Sequence, residues 1–443
     1  MSRKKRKQIS KEPVVAEIES MTHEGRGVTH INGKAVFVDD ALPGETVEFE
    51  YTGIHRSYDE ARLLKVLKVS AKRIEPGCPH FGVCGGCRLQ HIDASEQLRL
   101  KQNVLLDNFK HLGHVETGNV LPPLMSPEWG YRRKARLGVR YVNKKGKMLI
   151  GFRERESRYL ADLQTCKVLH SSVGEHLIEL AQLIHQLSHF EHWPQIEVAV
   201  GDNATALVFR HLEPVTDNDK DKLVDFAKKH NFHVYLQSKG PDTIFSLYPD
   251  DAQLYYKLED YGLKLNFLPT DFTQVNQDIN PKMVAQALGL LDLQKTDRVL
   301  ELFCGLGNFT LPIAKIAREV VAVEGDAGLI ERARANAVLN NIDNVEYYVA
   351  NLMEEVTGAP WIHKQTYDKV LLDPPRSGAK EILPYVAKTG AGKIVYVSCH
   401  PATLARDADE LVNQYGYKLI TAGVMDMFPH TAHVESIALF EKI

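Results

Sequence analysis

Residues 298–309 read Arg-Val-Leu-Glu-Leu-Phe-Cys-Gly-Leu-Gly-Asn-Phe, an apolar run that ends in a turn with two glycines. The run predicts a buried strand over Arg298–Phe303, and glycines at a strand-to-helix turn let the backbone approach a ligand closely. The next predicted strand ends at Glu324, seventeen residues past Gly307. Because an acid at that place can accept the hydroxyls of a ribose, the two features together predict a nucleoside-binding α/β sheet.

Thr310 indicates which nucleoside-containing cofactor the glycine turn would bind. A dinucleotide site would have a third glycine near this position, where the helix N-terminus meets the pyrophosphate. This chain has threonine there. S-adenosylmethionine carries a ribose and an adenine but no phosphate, so the turn favours S-adenosylmethionine as the cofactor.

The remainder of the C-terminal half alternates predicted strands and helices, with strands at Val320–Val323, Val345–Val349, Lys369–Leu372, Lys393–Val397 and Val434–Phe440. This order predicts a doubly wound parallel sheet, whose ligands bind at the carboxyl ends of the strands. Asn351 follows one strand there, where its amide can read an adenine edge. Asp373-Pro-Pro-Arg376 follows the next strand as a stiff loop.

Cys399 stands at the carboxyl end of the following strand, in Ser398-Cys-His-Pro401. Free cysteines are more often buried and inert than reactive. Its place beside the predicted cofactor crevice and the Asp-Pro-Pro-Arg loop reverses that preference and indicates a nucleophile. Cys304, inside the glycine turn, is interpreted as structural.

The N-terminal region has a different pattern. Residues 1–12 carry six basic side chains and predict a disordered basic tail. Short β-like runs then extend to about residue 72, and Asn32-Gly33 predicts a tight hairpin turn between two of them. This pattern predicts a small barrel of the oligonucleotide-binding type, although a barrel without a ligand fits it equally well.

Composition excludes two classes of protein. No apolar run approaches the roughly 18–20 residues of a membrane span. The basic N-terminus is followed by no apolar stretch of about 7–15 residues, as a secretory signal would require. We therefore expect a cytoplasmic protein that binds no membrane.

Three of the six cysteines are clustered, as Cys78-x5-Cys84-x2-Cys87, and Cys166 stands apart. In a chain with so few cysteines, clustered thiols more often bind metal than form disulfides. Together with Cys166 they supply four thiolates, enough for one iron–sulfur cluster or one structural zinc ion. The spacing alone leaves both metals open.

A basic block lies between Glu128 and Lys167, where twelve Lys/Arg and four Asp/Glu give a local charge of +8 in a chain of net charge −3. Such a block is usually a solvated face. Here aromatic side chains alternate with the basic ones, as at Tyr131-Arg-Arg-Lys134 and again at Tyr159. That combination suits single-stranded RNA, whose phosphates need cations and whose bases need stacking partners.

Four motifs together resemble the bacterial RNA uracil-C5 methyltransferases: Phe303-Cys-Gly-Leu-Gly-Asn-Phe309, Asp373-Pro-Pro-Arg376, Ser398-Cys-His-Pro-Ala-Thr-Leu404 and Pro429-His-Thr-Ala-His-Val-Glu435. The resemblance spans nearly the whole chain. Members that combine a TRAM-type barrel, a cysteine cluster and a methyltransferase domain modify 23S ribosomal RNA. The family usually has Asn after the nucleophile, whereas this chain has His400.

The resemblance implies a site. Cys399 would be the nucleophile that adds to uracil C6, and Glu435 the proton acceptor, with His433 as its rival. We expect the site to lower the pKa of the Cys399 thiol, with Arg376 as a nearby cation. The resemblance also implies a 4Fe–4S cluster on the four cysteines and cofactor contacts from Gln274 (in Phe272-Thr-Gln274), Phe303, Asn308, Glu324, Asn351 and Asp373.

The predicted architecture is therefore multidomain, with an OB-like barrel, a central α/β domain that carries the cluster, and a Rossmann-like α/β methyltransferase domain. The predicted bounds are a tail at 1–12, a barrel at 13–73, a central domain at 74–92 and 126–265, and a methyltransferase domain at 93–125 and 266–443. We expect a monomer that acts on 23S ribosomal RNA. The alternatives are another RNA target within the family and a non-catalytic RNA-binding assembly factor.

Overall fold

The computed structural model describes residues 12–363 and 366–443, which form two compact units. The N-terminal unit comprises the described residues up to Val104 together with Phe428–His433. The C-terminal unit comprises Leu105–Met427 and Val434–Ile443. The predicted basic tail lies, except for Glu12, outside the described residues, and the domain bounds given above remain a prediction.

The N-terminal unit is built on a mostly antiparallel sheet of strand order β1-β5-β6-β4-β3-β2. Its strands are β1 (Val14–Glu17), β2 (Ser20–Met21), β3 (Gly27–Ile31), β4 (Lys34–Asp39), β5 (Thr46–Ile54) and β6 (Tyr58–Lys68). The turn between β3 and β4 is confirmed, because Asn32 and Gly33 have φ angles of 51° and 77°. Alternating apolar side chains make the core, among them Ile18, Val36, Val38, Val47 and Phe49.

Hydrogen bonds join the segment Phe428–His433 to the rest of the N-terminal unit. The backbone N–H groups of Arg88 and Leu89 donate to the His430 carbonyl at 2.8 and 2.9 Å. Helix α1 (Ala94–His111) contributes Gln97, whose Oε1 accepts from His430 N at 2.9 Å, and Lys101, whose Nζ donates to Phe428 O at 2.9 Å. The motif that ends in Glu435 therefore begins in one unit and ends in the other.

The first part of the C-terminal unit holds a sheet of strand order β13-β12-β11-β10-β8-β9 and a hairpin, β14–β15. The strands, including the short β7, are β7 (Asn119–Val120), β8 (Lys134–Val142), β9 (Lys147–Gly151), β10 (Gln195–Val200), β11 (Thr205–Arg210), β12 (Phe232–Gln237), β13 (Ile244–Tyr248), β14 (Leu254–Leu258) and β15 (Leu263–Phe267). The helices are α2 (Ser171–Gly174), α3 (Leu177–His185) and α4 (Asp217–His230). Helix α4 begins at a capping box formed by Thr216 and Asp219.

The second part contains the predicted nucleoside-binding sheet, of strand order β18-β17-β16-β19-β20-β22-β21-β7. Its other strands are β16 (Arg298–Leu302), β17 (Glu319–Glu324), β18 (Val345–Val349), β19 (Lys369–Leu372), β20 (Lys393–Ser398), β21 (Tyr417–Met425) and β22 (Glu435–Lys442). The helices are α5 (Asn280–Leu291), α6 (Thr310–Ala314), α7 (Ala327–Leu339), α8 (Pro360–His363), α9 (Leu383–Lys388) and α10 (Pro401–Asn413).

The parallel sheet predicted from the sequence is confirmed for β16–β20 and wrong at one edge. Strand β22 runs antiparallel to both β20 and β21, and β21 is not among the strands predicted from the sequence. Only the nine residues 426–434 join β21 to β22. A parallel crossover needs about a dozen residues or more, so this link favours antiparallel pairing.

No helix among residues 12–363 and 366–443 combines the length and the apolarity that a bilayer span requires.

Candidate active site

Four of the predicted site residues lie at the carboxyl ends of neighbouring strands in the sheet of the C-terminal unit. Phe303 follows β16, Glu324 ends β17, Asp373 follows β19 and Cys399 follows β20. The chain proceeds from β16 outward to β18 and then returns to β19 on the other side of β16. Ligands of open α/β sheets bind at such a reversal, so this edge forms the candidate crevice.

The glycine turn after β16 is open on the ligand side. Gly305 has a φ of 55°, and a Cβ added to it would meet no atom within 4 Å. Phe303 has a φ of 66°, in the left-handed region that a bulky side chain rarely occupies. Strain of this kind concentrates at ligand sites. The backbone here therefore fits close approach by a nucleoside.

Glu324 is held in place by three backbone N–H groups. Its Oε2 accepts from Gly305 at 3.1 Å, and its Oε1 accepts from Gly325 at 2.7 Å and from Asp326 at 3.1 Å. An ionised carboxylate offers about four lone-pair sites. One ribose hydroxyl can therefore be accepted here without displacing a backbone donor.

The side chain of Asn308 is hydrogen-bonded to two residues that no sequence pattern indicated. Its Oδ1 accepts from the Tyr256 hydroxyl at 3.0 Å and from Asn280 Nδ2 at 2.9 Å, and its Nδ2 donates to Asn280 Oδ1 at 2.8 Å. Tyr256 is on β14 and Asn280 begins α5, both distant in sequence. These bonds hold the glycine turn in place through Asn308. The contact of Asn308 with the cofactor remains a prediction.

The structure places Asn351 and Gln274 on loops. Asn351 follows β18 and is exposed; its Nδ2 donates to Glu354 at 2.8 Å and its Oδ1 accepts from Met353 N at 3.1 Å. Gln274 lies half-buried on the loop between β15 and α5. On the same loop Phe272 is 68% exposed, which is unusual for a phenylalanine and leaves its ring available for stacking.

Cys399 and Glu435 come together through strand register. Ser398 pairs with Ser436 across the antiparallel β20–β22 ladder, and the Ser436 hydroxyl donates to the Ser398 carbonyl at 3.1 Å. Continuing this register by one residue places Cys399 opposite Glu435, and directly opposite residues in antiparallel strands are neighbours. Glu435 is buried. His433, its rival as base, is exposed and belongs to the N-terminal unit.

The crevice concentrates carboxyl groups. Burial, with the negative charge of Glu324 added, raises the pKa of Asp373 to about 7. Burial and the charges of Asp373 and Glu324 raise the pKa of Glu301 to about 8. Burial, together with Asp373, also raises the pKa of Glu435 well above its ordinary value. Burial thus favours the protonated form of Glu435, and the acidic crevice would attract a cation.

The expectation of a lowered thiol pKa at Cys399 is wrong for the protein without ligands. Burial is the main cause, and Glu435 and Asp373 add to it, so that the pKa rises to about 11; Arg376 acts in the opposite direction. The sequence showed the arginine but not that two carboxyl groups and partial burial would outweigh it.

This raised pKa predicts slow alkylation of Cys399 in the unliganded protein. Only on the order of one thiol in ten thousand is ionised at pH 7 when the pKa is near 11. We expect the iodoacetamide rate at the Cys399 peptide, followed by mass spectrometry, to rise through pH 10–11. Arg376→Ala should move this profile to higher pH, and Lys380→Ala, an exposed cation nearby in sequence, should leave it in place. A midpoint at the ordinary value of about 8.5 would contradict the electrostatic interpretation.

His400 has a structural role that Asn would also perform. It is the N-cap of α10, and its Nδ1 accepts from Thr403 N at 3.3 Å. Asparagine is among the preferred N-caps. The Asp-Pro-Pro-Arg loop is held from the same helix, because the Thr403 hydroxyl donates to Arg376 O at 3.1 Å and Asp407 Oδ2 accepts from Ala379 N at 2.7 Å.

The predicted metal ligands are half-buried thiols, none of them in a disulfide. Cys78, Cys84 and Cys87 lie on one loop of the N-terminal unit, and Cys166 belongs to the C-terminal unit. The Gly86 N–H donates to Cys84 Sγ at 3.4 Å. Hydrogen bonds of this kind tune the sulfur ligands of iron–sulfur clusters.

A different group of potential ligands lies near the ends of α3 and α4, where the ligand atoms of His176, Glu179 and His230 are within 4.8 Å of one another. Lys229 already donates to Glu179 Oε2 at 2.7 Å, and His176 Nδ1 lies 2.9 Å from Oε1. Chiefly because of the bond from Lys229, the pKa of Glu179 falls to about 2. This group is explained as an ionic cluster that joins two helices.

Several arginines of the basic block have protein partners, and they differ in how exposed they remain. Arg133 donates to Asp202 at 2.7 Å, and Arg132 Nε donates to the Lys134 carbonyl at 3.1 Å. Arg136, in contrast, is 70% exposed at its side chain while it pairs with Glu197. The cations available to an RNA are therefore a subset of those counted in the sequence.

Comparison with known proteins shows similarity along the whole chain. The 23S rRNA (uracil(1939)-C(5))-methyltransferase of Hahella chejuensis is 53% identical over 449 aligned positions covering 100% of both chains. That of Francisella tularensis subsp. novicida is 51% identical over 97% of this chain and 96% of the relative. The crystal structure of Pyrococcus abyssi tRNA (uracil-54, C5)-methyltransferase in complex with S-adenosyl-L-homocysteine covers 96% of this chain and 100% of its own, at a TM-score of 0.73 and 24% identity.

The structural likeness confirms the multidomain α/β methyltransferase fold. Residues 93–443, which include the glycine turn, the Asp-Pro-Pro-Arg loop, Cys399 and Glu435, match the family described as tRNA (uracil-5-)-methyltransferase. That match covers most of the chain, and the full-length relatives agree with it. The chain therefore belongs to the tRNA (uracil-5-)-methyltransferase family.

Proposed function

We propose that this chain transfers a methyl group from S-adenosylmethionine to C5 of uridine 1939 in 23S ribosomal RNA, the reaction named for its full-length relatives. The observation that carries the proposal is the register of β20 and β22, which sets the Cys399 thiol opposite a buried carboxyl group. A non-catalytic RNA-binding factor would have no use for that pair.

Cys399 is assigned the first step of the reaction and Glu435 the last. Uracil C5 is a weak nucleophile until the Cys399 sulfur adds at C6, which moves the electrons of the C5–C6 double bond toward C5 and O4. When bound, S-adenosylmethionine supplies an electrophilic methyl group on a positively charged sulfur. Once C5 carries the methyl group, Glu435 accepts the C5 proton, the C5–C6 double bond re-forms and the C6–S bond breaks.

The protonation states of the free crevice must change before this chemistry. The Cys399 thiol holds its proton at pH 7 in the unliganded protein, and burial shifts the Glu435 carboxyl toward its protonated form. A positive charge among these groups lowers the pKa of each, because it favours their ionised forms. Occupation of the crevice by a cation is thus the event that prepares nucleophile and base.

The remaining site residues divide between cofactor and RNA. Glu324 is proposed to accept a ribose hydroxyl and Asn351 to read the adenine edge. Phe303, Asn308, Asp373 and Gln274 complete the proposed cofactor contacts. The sheet of the N-terminal unit is proposed to be the TRAM-type barrel, which with the basic block binds RNA.

The test of this function is methylation of transcribed, unmodified 23S rRNA and transfer RNA by the purified protein, with 5-methyluridine mapped by mass spectrometry of nuclease fragments. We expect one methylated site, at 1939 of the 23S rRNA. A modified transfer RNA, or a different uridine in the 23S rRNA, would overturn the target and leave the reaction class standing.

A 4Fe–4S cluster is proposed on Cys78, Cys84, Cys87 and Cys166, where it would hold the fold and its RNA-contacting loops. We expect protein purified without oxygen to be brown and to contain about four irons per chain. Cys166→Ser should bleach it as fully as Cys87→Ser, because a cluster that lacks one thiolate is labile. Cys304→Ser, outside the set, is the control. One zinc per chain with no iron would contradict the cluster.

A further inference from the structure

A cavity of about 640 Å³ opens on the sheet of β8 and β10–β12. Its volume is within the roughly 300–1,000 Å³ of small-molecule sites. Polar and charged side chains make up most of its lining, among them Arg136, Gln195, Glu197, Arg210, Gln237 and Lys239. Neither the catalytic pair nor the proposed cofactor contacts use these residues.

Strand register explains why these side chains share one face. Arg136 pairs with Glu197, Gln195 with Arg210, and Arg210 with Gln237 across successive strands. Gln195 and Glu197 are two residues apart on β10, so they point to the same side. The five side chains therefore form one polar row across four strands. They share one face of the sheet because side chains along each strand alternate between the two faces.

The lining of the cavity is positively charged. Glu197 is the acid of the lining, and its Oε1 already accepts from Arg136 at 2.9 Å and from Gln195 at 2.9 Å. The charges of Arg136 and Glu197 cancel. Arg210 and Lys239 add one positive charge each, so the net formal charge of the lining is +2. Cations beside amide donors and acceptors match a nucleotide, which presents a phosphate and a base edge.

The cavity borders the loop that carries Phe272. Thr270 lines the cavity, and two residues further on Phe272 is 68% exposed. The loop is held firmly, since Arg332 pairs with Asp271 at 2.6 Å and the Lys134 ammonium donates to the Pro269 carbonyl. An exposed aromatic ring on such a loop, next to a cationic cavity, is the arrangement by which proteins bind successive nucleotides of a single strand.

We infer that this cavity binds a nucleotide of the RNA strand other than the target uridine, with its phosphate on Arg210 and Lys239 and a neighbouring base on Phe272. The inference rests on the proposed function and adds to it a second, non-catalytic nucleotide site. Bound there, the strand would be anchored while the target base is extruded, and the anchoring contacts would offset part of the cost of unstacking that base.

The test measures RNA binding without S-adenosylmethionine, by fluorescence anisotropy of a single-stranded 23S rRNA fragment over a range of salt concentrations. For the double variant Arg210→Ala/Lys239→Ala we expect about tenfold weaker binding and a log–log salt slope about 0.7–1.4 shallower, as loss of one or two phosphate contacts requires. At saturating RNA, kcat and the affinity for S-adenosylmethionine should be unchanged. The matched control is Lys220→Ala/Lys222→Ala on α4, outside the cavity.

Wild-type affinity and slope in the cavity variant would overturn the inference, and so would an equal loss in the control. Phe272→Ala adds an independent readout, because loss of stacking should weaken binding without changing the salt slope. Methyl transfer by the wild-type protein is scored separately. If that transfer fails while the cavity variant still loses RNA affinity, the proposed function falls and the nucleotide site remains.

Discussion

Cys399→Ala should reduce methyl transfer to less than about a thousandth of the wild-type rate and leave the affinity for S-adenosylmethionine nearly unchanged. Without addition of sulfur at C6, C5 has no electron density with which to attack a methyl group. The proposed cofactor contacts are on other loops, after β16, β17, β18 and β19. Calorimetric titration with S-adenosylmethionine and single-turnover transfer to 23S rRNA measure the two quantities.

Cys304→Ala is the matched control for that variant, since Cys304 is buried in the glycine turn and its thiol has a raised pKa caused by burial. It should keep transfer within the range expected of a modest packing change. Turnover of Cys399→Ala above a thousandth of wild type, with Cys304→Ala also active, would remove Cys399 from the role of nucleophile.

Glu435→Gln should let methylation proceed and then stop, leaving the protein covalently bound to its RNA. Gln cannot accept the C5 proton, so the C6–S bond cannot break. The variant should fold, because burial raises the pKa of Glu435 and favours its protonated form, which Gln nearly matches in shape and polarity. Denaturing gel electrophoresis with labelled RNA detects the retained adduct.

His433→Gln is the comparison variant, because His433 is the rival base by sequence. It should release product at the wild-type rate, since its ring is exposed and in contact with Phe428. If Glu435→Gln releases product normally and His433→Gln retains the adduct, the base assignment is reversed.

Much of the fold follows from local pattern. The strands β16–β20 were predicted within one or two residues, because buried parallel strands are continuous apolar runs that end at recognisable turns. Strand β21 and the antiparallel direction of β22 were not predicted. The direction in which β21 and β22 pair depends on the link of nine residues between them. The short β-like runs predicted for the N-terminal region begin with two separate strands, β1 and β2, with buried Ile18 between them.

In the site, too, some features follow from local sequence pattern and others depend on tertiary packing. The positions of Glu324 and Asp373 at the crevice were predictable because each residue directly follows or ends a strand. The partners of Asn308 were missed, since Tyr256 and Asn280 reach it only through tertiary packing. The thiol pKa was predicted in the wrong direction, because its value depends on the burial of Cys399 and its distances to Asp373 and Glu435, which no sequence pattern encodes.

The most direct test of covalent catalysis by Cys399 uses a 23S rRNA fragment with 5-fluorouridine at position 1939, incubated with the protein and S-adenosylmethionine. Fluorine at C5 cannot leave as a proton, so the reaction should stop after methyl transfer with the RNA bound to Cys399. We predict a methylated protein–RNA complex that survives denaturation and whose cross-link maps to Cys399 by mass spectrometry. A complex that forms equally with Cys399→Ala, or methyl transfer to unmodified RNA with no trapped complex on the fluorinated RNA, would contradict covalent addition at C6.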